Sequence, residues 1–348
     1  MRVARRLLTC VRMLVKGSAA ASLPQFGRYH TVALLGVGGM AEVYRAICLD
    51  ARGQPFEVVL KRIRPELERE PAFMRMFERE ATTSLRLIHP NLVRVLDHGP
   101  TENGYVQVME YIDGCTLVHL IRARRRPVPW PQAALIAREI ARGLSYMHAT
   151  EDEQGRPRTI VHRDISPDNV MVSTDGRVKI LDFGIAKALE ARNDVSLTGT
   201  LKGKLGYMAP EQLEALAIDE RVDQFALGVV LHELLTGRRL YAREAKLGSL
   251  RRERRAAVRR PSEVIEEIPA ELDDVVTRML APDPMARFPT TAHVARTLDV
   301  VLGGIEVGAA ELAALVSDAG PARHPMAGDD EEQRTELTPP SAFWSSAG

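Results

Sequence analysis

Long apolar runs are missing from this 348-residue chain, and nowhere does it hold the roughly 20 consecutive apolar residues that a membrane-spanning helix needs. Cysteine is scarce. Cys10, Cys48 and Cys115 are odd in number and far apart, so neither a disulfide framework nor a zinc knuckle can be built from them, and a reducing, cytoplasmic setting is expected. No charge of one sign prevails: 47 Lys plus Arg against 46 Asp plus Glu leave a net charge of +1, without the electrostatic footprint of a dedicated nucleic-acid binder. Internal repeats are absent as well. What remains is ordinary globular material, 45% apolar and 27% charged, enough for two domains or one bilobal unit.

The first acidic residue is Glu42. Ahead of it Arg2, Arg5, Arg6, Arg12 and Lys16 alternate with Val3, Leu7, Leu8, Val11, Leu14 and Val15. Residues 1–25 are therefore expected to be a basic, disordered leader, with a membrane-surface helix or transit peptide as the other reading. From Phe26 the pattern is strand-like. His30 to Leu35 runs into Gly36-Val37-Gly38-Gly39, and Val43 to Cys48 and Phe56 to Ile63 flank the turn Asp50-Ala51-Arg52-Gly53. Pro71 to Ile88 has helical spacing, followed by strands at Leu92 to His98 and Tyr105 to Tyr111 around Asn103-Gly104. Beyond Asp113-Gly114, helices are predicted over Thr116 to Ala123, Gln132 to Ala149, Arg221 to Leu235, Ala270 to Leu280 and Thr291 to Leu302. Short strands are predicted at Ile160-Val161, Val170 to Ser173 and Val178 to Leu181. Residues 304–348, rich towards their end in Pro, Gly, Ser and acidic groups, read as a mostly disordered tail.

Chemistry concentrates in four places. Gly36 to Val43 is a glycine loop between two strands, able to bring backbone N–H groups close to phosphate oxygens. A dinucleotide fingerprint would need a helix next, and a strand follows instead. Lys61 ends the strand Val58-Val59-Leu60, and Glu80, beside the apolar face of the next helix, is placed to pair with it, with Glu70 and Glu78 as competing carboxylates. His162-Arg163-Asp164-Ile165-Ser166-Pro167-Asp168-Asn169 offers a carboxylate to take a hydroxyl proton and, five residues on, an amide oxygen for a metal. Asp182-Phe183-Gly184 follows another apolar strand and supplies a second metal-binding oxygen.

These strings, in this order and each after a strand, make the chain resemble the eukaryotic-like (Hanks-type) serine/threonine protein kinases of bacteria, from about Phe26 to Leu302. The resemblance implies an α+β, bilobal fold: a small antiparallel β lobe with one main helix (26–111) and a larger, mainly α-helical lobe (112–303). It implies ATP and Mg²⁺ as cofactors and protein substrates as partners, with no nucleic acid, no transmembrane segment and no oligomeric state assigned. Leu35, Gly36, Val37, Gly38, Gly39, Met40, Ala41, Glu42 and Val43 would cover the nucleotide. Lys61 would hold the α/β-phosphates and pair with Glu80. Met109 would be the gatekeeper, Glu110 to Ile112 the adenine-binding hinge, and Met171 the floor under the base. Asp164 would be the catalytic base, with Asn169 and Asp182 binding Mg²⁺. Glu211 of Ala209-Pro210-Glu211 would pair with Arg287, and Asp223 would brace the catalytic loop.

Four positions depart from the family pattern: Ala41 for the third glycine of the loop, Val59 for a small residue, Ser166 for the lysine that contacts the γ-phosphate, and Lys204 for a threonine. The expected function is transfer of the ATP γ-phosphate to protein hydroxyls in bacterial signalling, with autophosphorylation at Thr198 or Thr200 received by Arg163. A pseudokinase that binds without turnover is the alternative. A small-molecule kinase is disfavoured by Ala209-Pro210-Glu211. The arginine runs 122–126 and 251–260 read as solvated helix faces rather than docking sites for an acidic partner.

Overall fold

The computed structural model describes residues 23–152, 154–182, 205–241 and 247–320. Five antiparallel strands make the first sheet: β1 (His30–Val37), β2 (Ala41–Leu49), β3 (Pro55–Ile63), β4 (Val95–Thr101) and β5 (Gly104–Glu110), in the order β1-β2-β3-β5-β4. Alternation places Tyr44, Ala46, Cys48, Val58, Leu60, Val106 and Val108 in one buried layer with Phe26 and Tyr29. The β2–β3 turn closes because Asp50 Oδ1 accepts the N–H groups of Arg52 and Gln54 and Gly53 takes a φ of +73°. The short α1 (Pro65–Glu68) leads to α2 (Pro71–Arg86), which starts on a proline whose missing N–H costs nothing there. The buried face of α2 carries Phe77, Glu80, Ala81 and Ser84.

The second lobe is helical. Its helices are α3 (Leu117–Arg124), α4 (Trp130–His148), α5 (Pro210–Leu213), α6 (Arg221–Thr236), α7 (Leu247–Glu253), α8 (Ala270–Met279), α9 (Thr291–Val301) and α10 (Ala309–Ala319). A three-stranded antiparallel sheet of β6 (Gly114–Thr116), β7 (Val170–Ser173) and β8 (Val178–Ile180) faces the first lobe. From Val222 to Thr236 every residue of α6 is buried, as expected for a helix that is apolar nearly all round and lies at the centre of a domain.

Three expectations are corrected. Ile160-Val161 is not a strand: the Ile160 N–H goes to Met147 O at the end of α4, so no ladder partner remains for it. The strand expected from Leu92 begins only at Val95, because Leu92 and Val93 turn to the other lobe. There Leu92 bridges Ile180 in parallel and Val93 N–H donates to Ile180 O at 2.8 Å. The boundary at residue 303 is too early. Helix α10 buries Leu312, Leu315 and Val316 against the helical lobe, in contact with α3 and β7. The leader up to residue 22 and the tail from residue 321 lie outside the described residues, as do Phe183, Gly184, Ser196, Thr198, Thr200 and Lys204.

Candidate active site between the lobes

The cleft between the sheets encloses about 520 Å³ of open space. Val43, Val59, Lys61 and Met109 line it from the first lobe, and Asn169, Met171, Leu181 and Asp182 from the second, with Glu110 and Ile112 at the connection. Sequence reasoning did not single out Val93, Asp168 or Leu181, which also line it. The signal that would have found Val93 is its place immediately before a strand, where the chain crosses between lobes.

The glycine loop is the β1–β2 hairpin, closed by the Gly38 N–H donating to Ala41 O at 2.8 Å. Of that loop, Val43 reaches the cleft lining. Leu35 packs half-buried against the core, and Val37 is 48% exposed at the tip. The Glu42 carboxylate accepts from Arg62 at 3.0 Å and from the Tyr44 hydroxyl at 2.8 Å, so it braces the sheet. Ala41 sits in β2 opposite Ile63, buried and without a positive φ, so this backbone does not need a glycine there.

Lys61 Nζ lies 2.9 Å from Asp182 Oδ1. Burial pulls the Lys61 ammonium down, but the charges of Asp182, Glu80 and Asp164 outweigh it, and its pKa stands above the ordinary lysine value. The lysine is therefore a fixed positive charge. Glu80 gathers with Gln107, Met109 and Asp182 behind the cleft.

The catalytic-loop segment is held from below by α6. Asp223, fully buried, accepts the main-chain N–H groups of His162 and Arg163 at 2.8 Å each, and its Oδ2 is 2.9 Å from His148 Nε2. These bonds hold Arg163 at a φ of +65°, a left-handed conformation that costs a non-glycine residue about 1 kcal/mol or more. His162 Nδ1 accepts the Asp164 N–H at 3.2 Å, so the ring proton is on Nε2, which faces Leu181 O at 3.0 Å. The imidazole thereby joins the Asp164 loop to the strand end that carries Asp182. Asn169 Nδ2 donates to Asp164 O at 2.8 Å and to Asp164 Oδ2 at 2.6 Å, while the Leu181 N–H donates to Asn169 O at 2.8 Å.

Glu110 has a further task that its sequence position did not reveal. Its Oε1 accepts from Lys179 Nζ at 2.6 Å and from the Arg94 N–H at 2.8 Å, so the hinge is pinned to β8. Ser166 is buried, and its Oγ has no hydrogen-bond partner among the described residues.

A family model, the protein kinase domain, matches residues 29–297. The chain belongs to the protein kinase family. It is similar to the bacterial eukaryotic-like members. It is 40% identical over 283 residues to the tyrosine-protein kinase MasK of Myxococcus xanthus, covering 80% of this chain and 44% of that one. It is 36% identical over 282 residues to the serine/threonine-protein kinase PknB of Mycobacterium leprae, covering 80% and 43%. Among solved structures, the PknI kinase domain of Mycobacterium tuberculosis superposes with a TM-score of 0.62 at 28% identity, over 82% of this chain and all of that one. The chain thus spans less than half the length of these curated relatives, and the bilobal kinase fold is common to the group.

Proposed function

We propose that this kinase domain transfers the γ-phosphate of ATP to a protein hydroxyl, with Asp164 as the base. The observation that carries the reading is that Lys61, Asn169 and Asp182 line one cleft with a largely apolar wall, and that the Asp164 carboxylate is bonded to Asn169 beside it. Val43, Val59, Met109, Ile112 and Met171 suit the faces of an adenine ring. Lys61 holds a positive charge where the α- and β-phosphates would lie. Asp164 accepts the proton of the acceptor hydroxyl as its oxygen bonds to the γ-phosphorus and the bond to the β-phosphate oxygen breaks, leaving ADP.

The donor set fits a hard cation, since Asp182 and Asn169 both line the cleft and carry oxygen ligands, Asn169 already spending its amide protons on Asp164. Mg²⁺ bound there would neutralise charge on the β- and γ-phosphates. Asn169 and His162 tie the Asp164 loop to the strand end that carries Asp182.

The likeness to the serine/threonine-protein kinase PknB supports serine and threonine as acceptors. Tyrosine is a second reading, favoured by the likeness to the tyrosine-protein kinase MasK. Autophosphorylation at Thr198 or Thr200 is part of the proposal, as is a cytoplasmic location. Incubation with radiolabelled Mg-ATP, followed by phosphoamino-acid analysis and site mapping, tests all but the last. Label on serine or threonine in the wild type and none in Asp164→Asn is expected. Unlabelled wild-type protein with normal nucleotide binding would establish the pseudokinase instead.

A further inference from the structure

Two neighbouring side chains of the hinge are gripped from opposite lobes. Successive residues of an extended segment point to opposite sides. Glu110 is held from the second lobe, by Lys179 Nζ of β8 at 2.6 Å. Tyr111 is met from the first lobe, by Arg45 of β2, whose guanidinium carbon lies 4.5 Å from the centre of the tyrosine ring. Arg45 is itself fixed: its Nε and Nη2 both donate to Glu57 Oε1 of β3, at 3.0 and 2.5 Å, and both members of the pair are largely withdrawn from solvent.

Strand register puts Arg45 in this place. It stands two residues from Val43, on the same face of β2, and pairs directly across with Val59 of β3. Val43 and Val59 both line the cleft. Arg45 therefore continues the cleft-facing row of the sheet beyond its apolar wall, out to the hinge. Tyr111 is half-buried against the main core, so the contact is partly desolvated, where a cation over a ring gains most. A guanidinium lies on the ring while its edge serves a carboxylate, which an ammonium does less well. Neither Arg45 nor Glu57 belongs to the strings that carry the family resemblance.

We propose that Arg45 is a positioning residue for the nucleotide base: by holding Tyr111 to the first lobe, it fixes the main chain of Glu110 to Ile112 against the edge of adenine and so sets the preference for a base with an exocyclic amine. The proposal rests on the phosphotransfer reading above and deepens it. Arg45 acts through Tyr111 and is not part of the cleft lining. Its removal leaves the apolar wall of Val43, Val59 and Met171 in place, so contact with the faces of the base persists while hydrogen bonding to its edge weakens.

The test uses the full chain with Arg45→Met, Arg45→Lys and Tyr111→Leu, and compares ATP with purine riboside triphosphate, which lacks the exocyclic amine. With myelin basic protein as acceptor, Arg45→Met is expected to raise the KM for ATP about 10-fold and that for the analogue no more than about twofold, with kcat and the acceptor KM within about twofold. Arg45→Lys, which keeps a cation near the ring, should fall between Arg45→Met and wild type. Tyr111→Leu should match Arg45→Met, and the double variant should be no worse than either. A purely structural role would weaken both nucleotides alike, or lower kcat through the active fraction, and either result overturns the proposal. Hydrogen exchange gives a readout independent of turnover. Amides of residues 110–112 should exchange at least about 10-fold faster in Arg45→Met, with those of α6 unchanged. Unaltered exchange at 110–112 also overturns it. A wild type without turnover would sink the phosphotransfer reading, and the dissociation constants of the two nucleotides, compared in the same way, would then decide the role of Arg45.

Discussion

Glu211 and Arg287, 76 residues apart, meet as a buried fork: Nη1 to Oε1 at 2.6 Å and Nη2 to Oε2 at 2.9 Å, with both side chains almost wholly withdrawn from solvent. The guanidinium is further held by Ala281 O and Arg221 O, and it lies 5.0 Å from the centre of the Phe225 ring. The pair locks the end of the segment that opens with Asp182 onto the base of the helical lobe. Arg287→Ala strands a buried carboxylate and is expected to cost about 3–5 kcal/mol in chemical denaturation. Adding Glu211→Gln should recover part of that loss, because the uncompensated charge then disappears. A double variant as unstable as the sum of the single ones would show that the two residues act separately.

Lys61→Met is expected to reduce phosphate transfer by at least about 100-fold, while the thermal midpoint moves by no more than about 5 °C. The stability change is small because Asp182 keeps 27% of its side chain in water and can be solvated when its partner goes. Transfer assays beside a melting curve check both halves, and surviving activity would remove Lys61 from the site.

Burial lifts the Glu233 carboxyl to about 7, against the opposing effects of the Tyr207 hydroxyl, which donates to it at 2.8 Å, and of Arg239, with Asp168 adding a repulsive charge. The unfolded chain ionises this group near 4.5. Between these values the folded state binds more protons than the unfolded one, so this group's contribution to stability falls as pH rises from about 4.5 to 7 and is then constant. The loss amounts to about 3 kcal/mol. Glu233→Gln, which keeps an oxygen for Tyr207, should be more stable than wild type at pH 8 and comparable at pH 4.5. Parallel midpoint curves for the two proteins across this range would contradict the assignment.

Removal of residues 304–348 takes away the buried face of α10, and the midpoint is expected to drop by roughly 5–15 °C, since each buried aliphatic side chain contributes about 1.5–3 kcal/mol. A chain ending at Gly320 should melt like the full one. Equal midpoints for chains ending at 303 and at 320 would show that α10 contributes nothing.

Much of the fold was legible because local rules coincide with it. Alternation in β2, β3 and β5, the proline start of α2 and the Asp50 turn depend on neighbours a few residues away, and the extended catalytic strings are rigid signatures of one family. Helix α10 escaped because its apolar positions, Leu312, Leu315 and Val316, are few and stand next to a Pro- and Gly-rich tail, so only the groove beside α3 shows that they are buried.

The sequence by itself determined which residues carry the chemistry and the order of the elements that bear them, because spacing along a strand or helix is a property of the chain alone. Only the tertiary structure decided who meets whom. It placed Lys61 on Asp182 at 2.9 Å, set Glu110 against Lys179, and bent Arg163 into a left-handed turn over Asp223. It left Arg251, Arg252, Arg255, Arg259 and Arg260 exposed, as the sequence reads, but buried Arg254 of the same run against the carbonyls of Leu205, Gly206 and Met208. A charged side chain looks the same in sequence whether its partner is water or a carbonyl several turns of chain away. The difference is made when the fold removes water from around it and leaves only particular acceptors within reach.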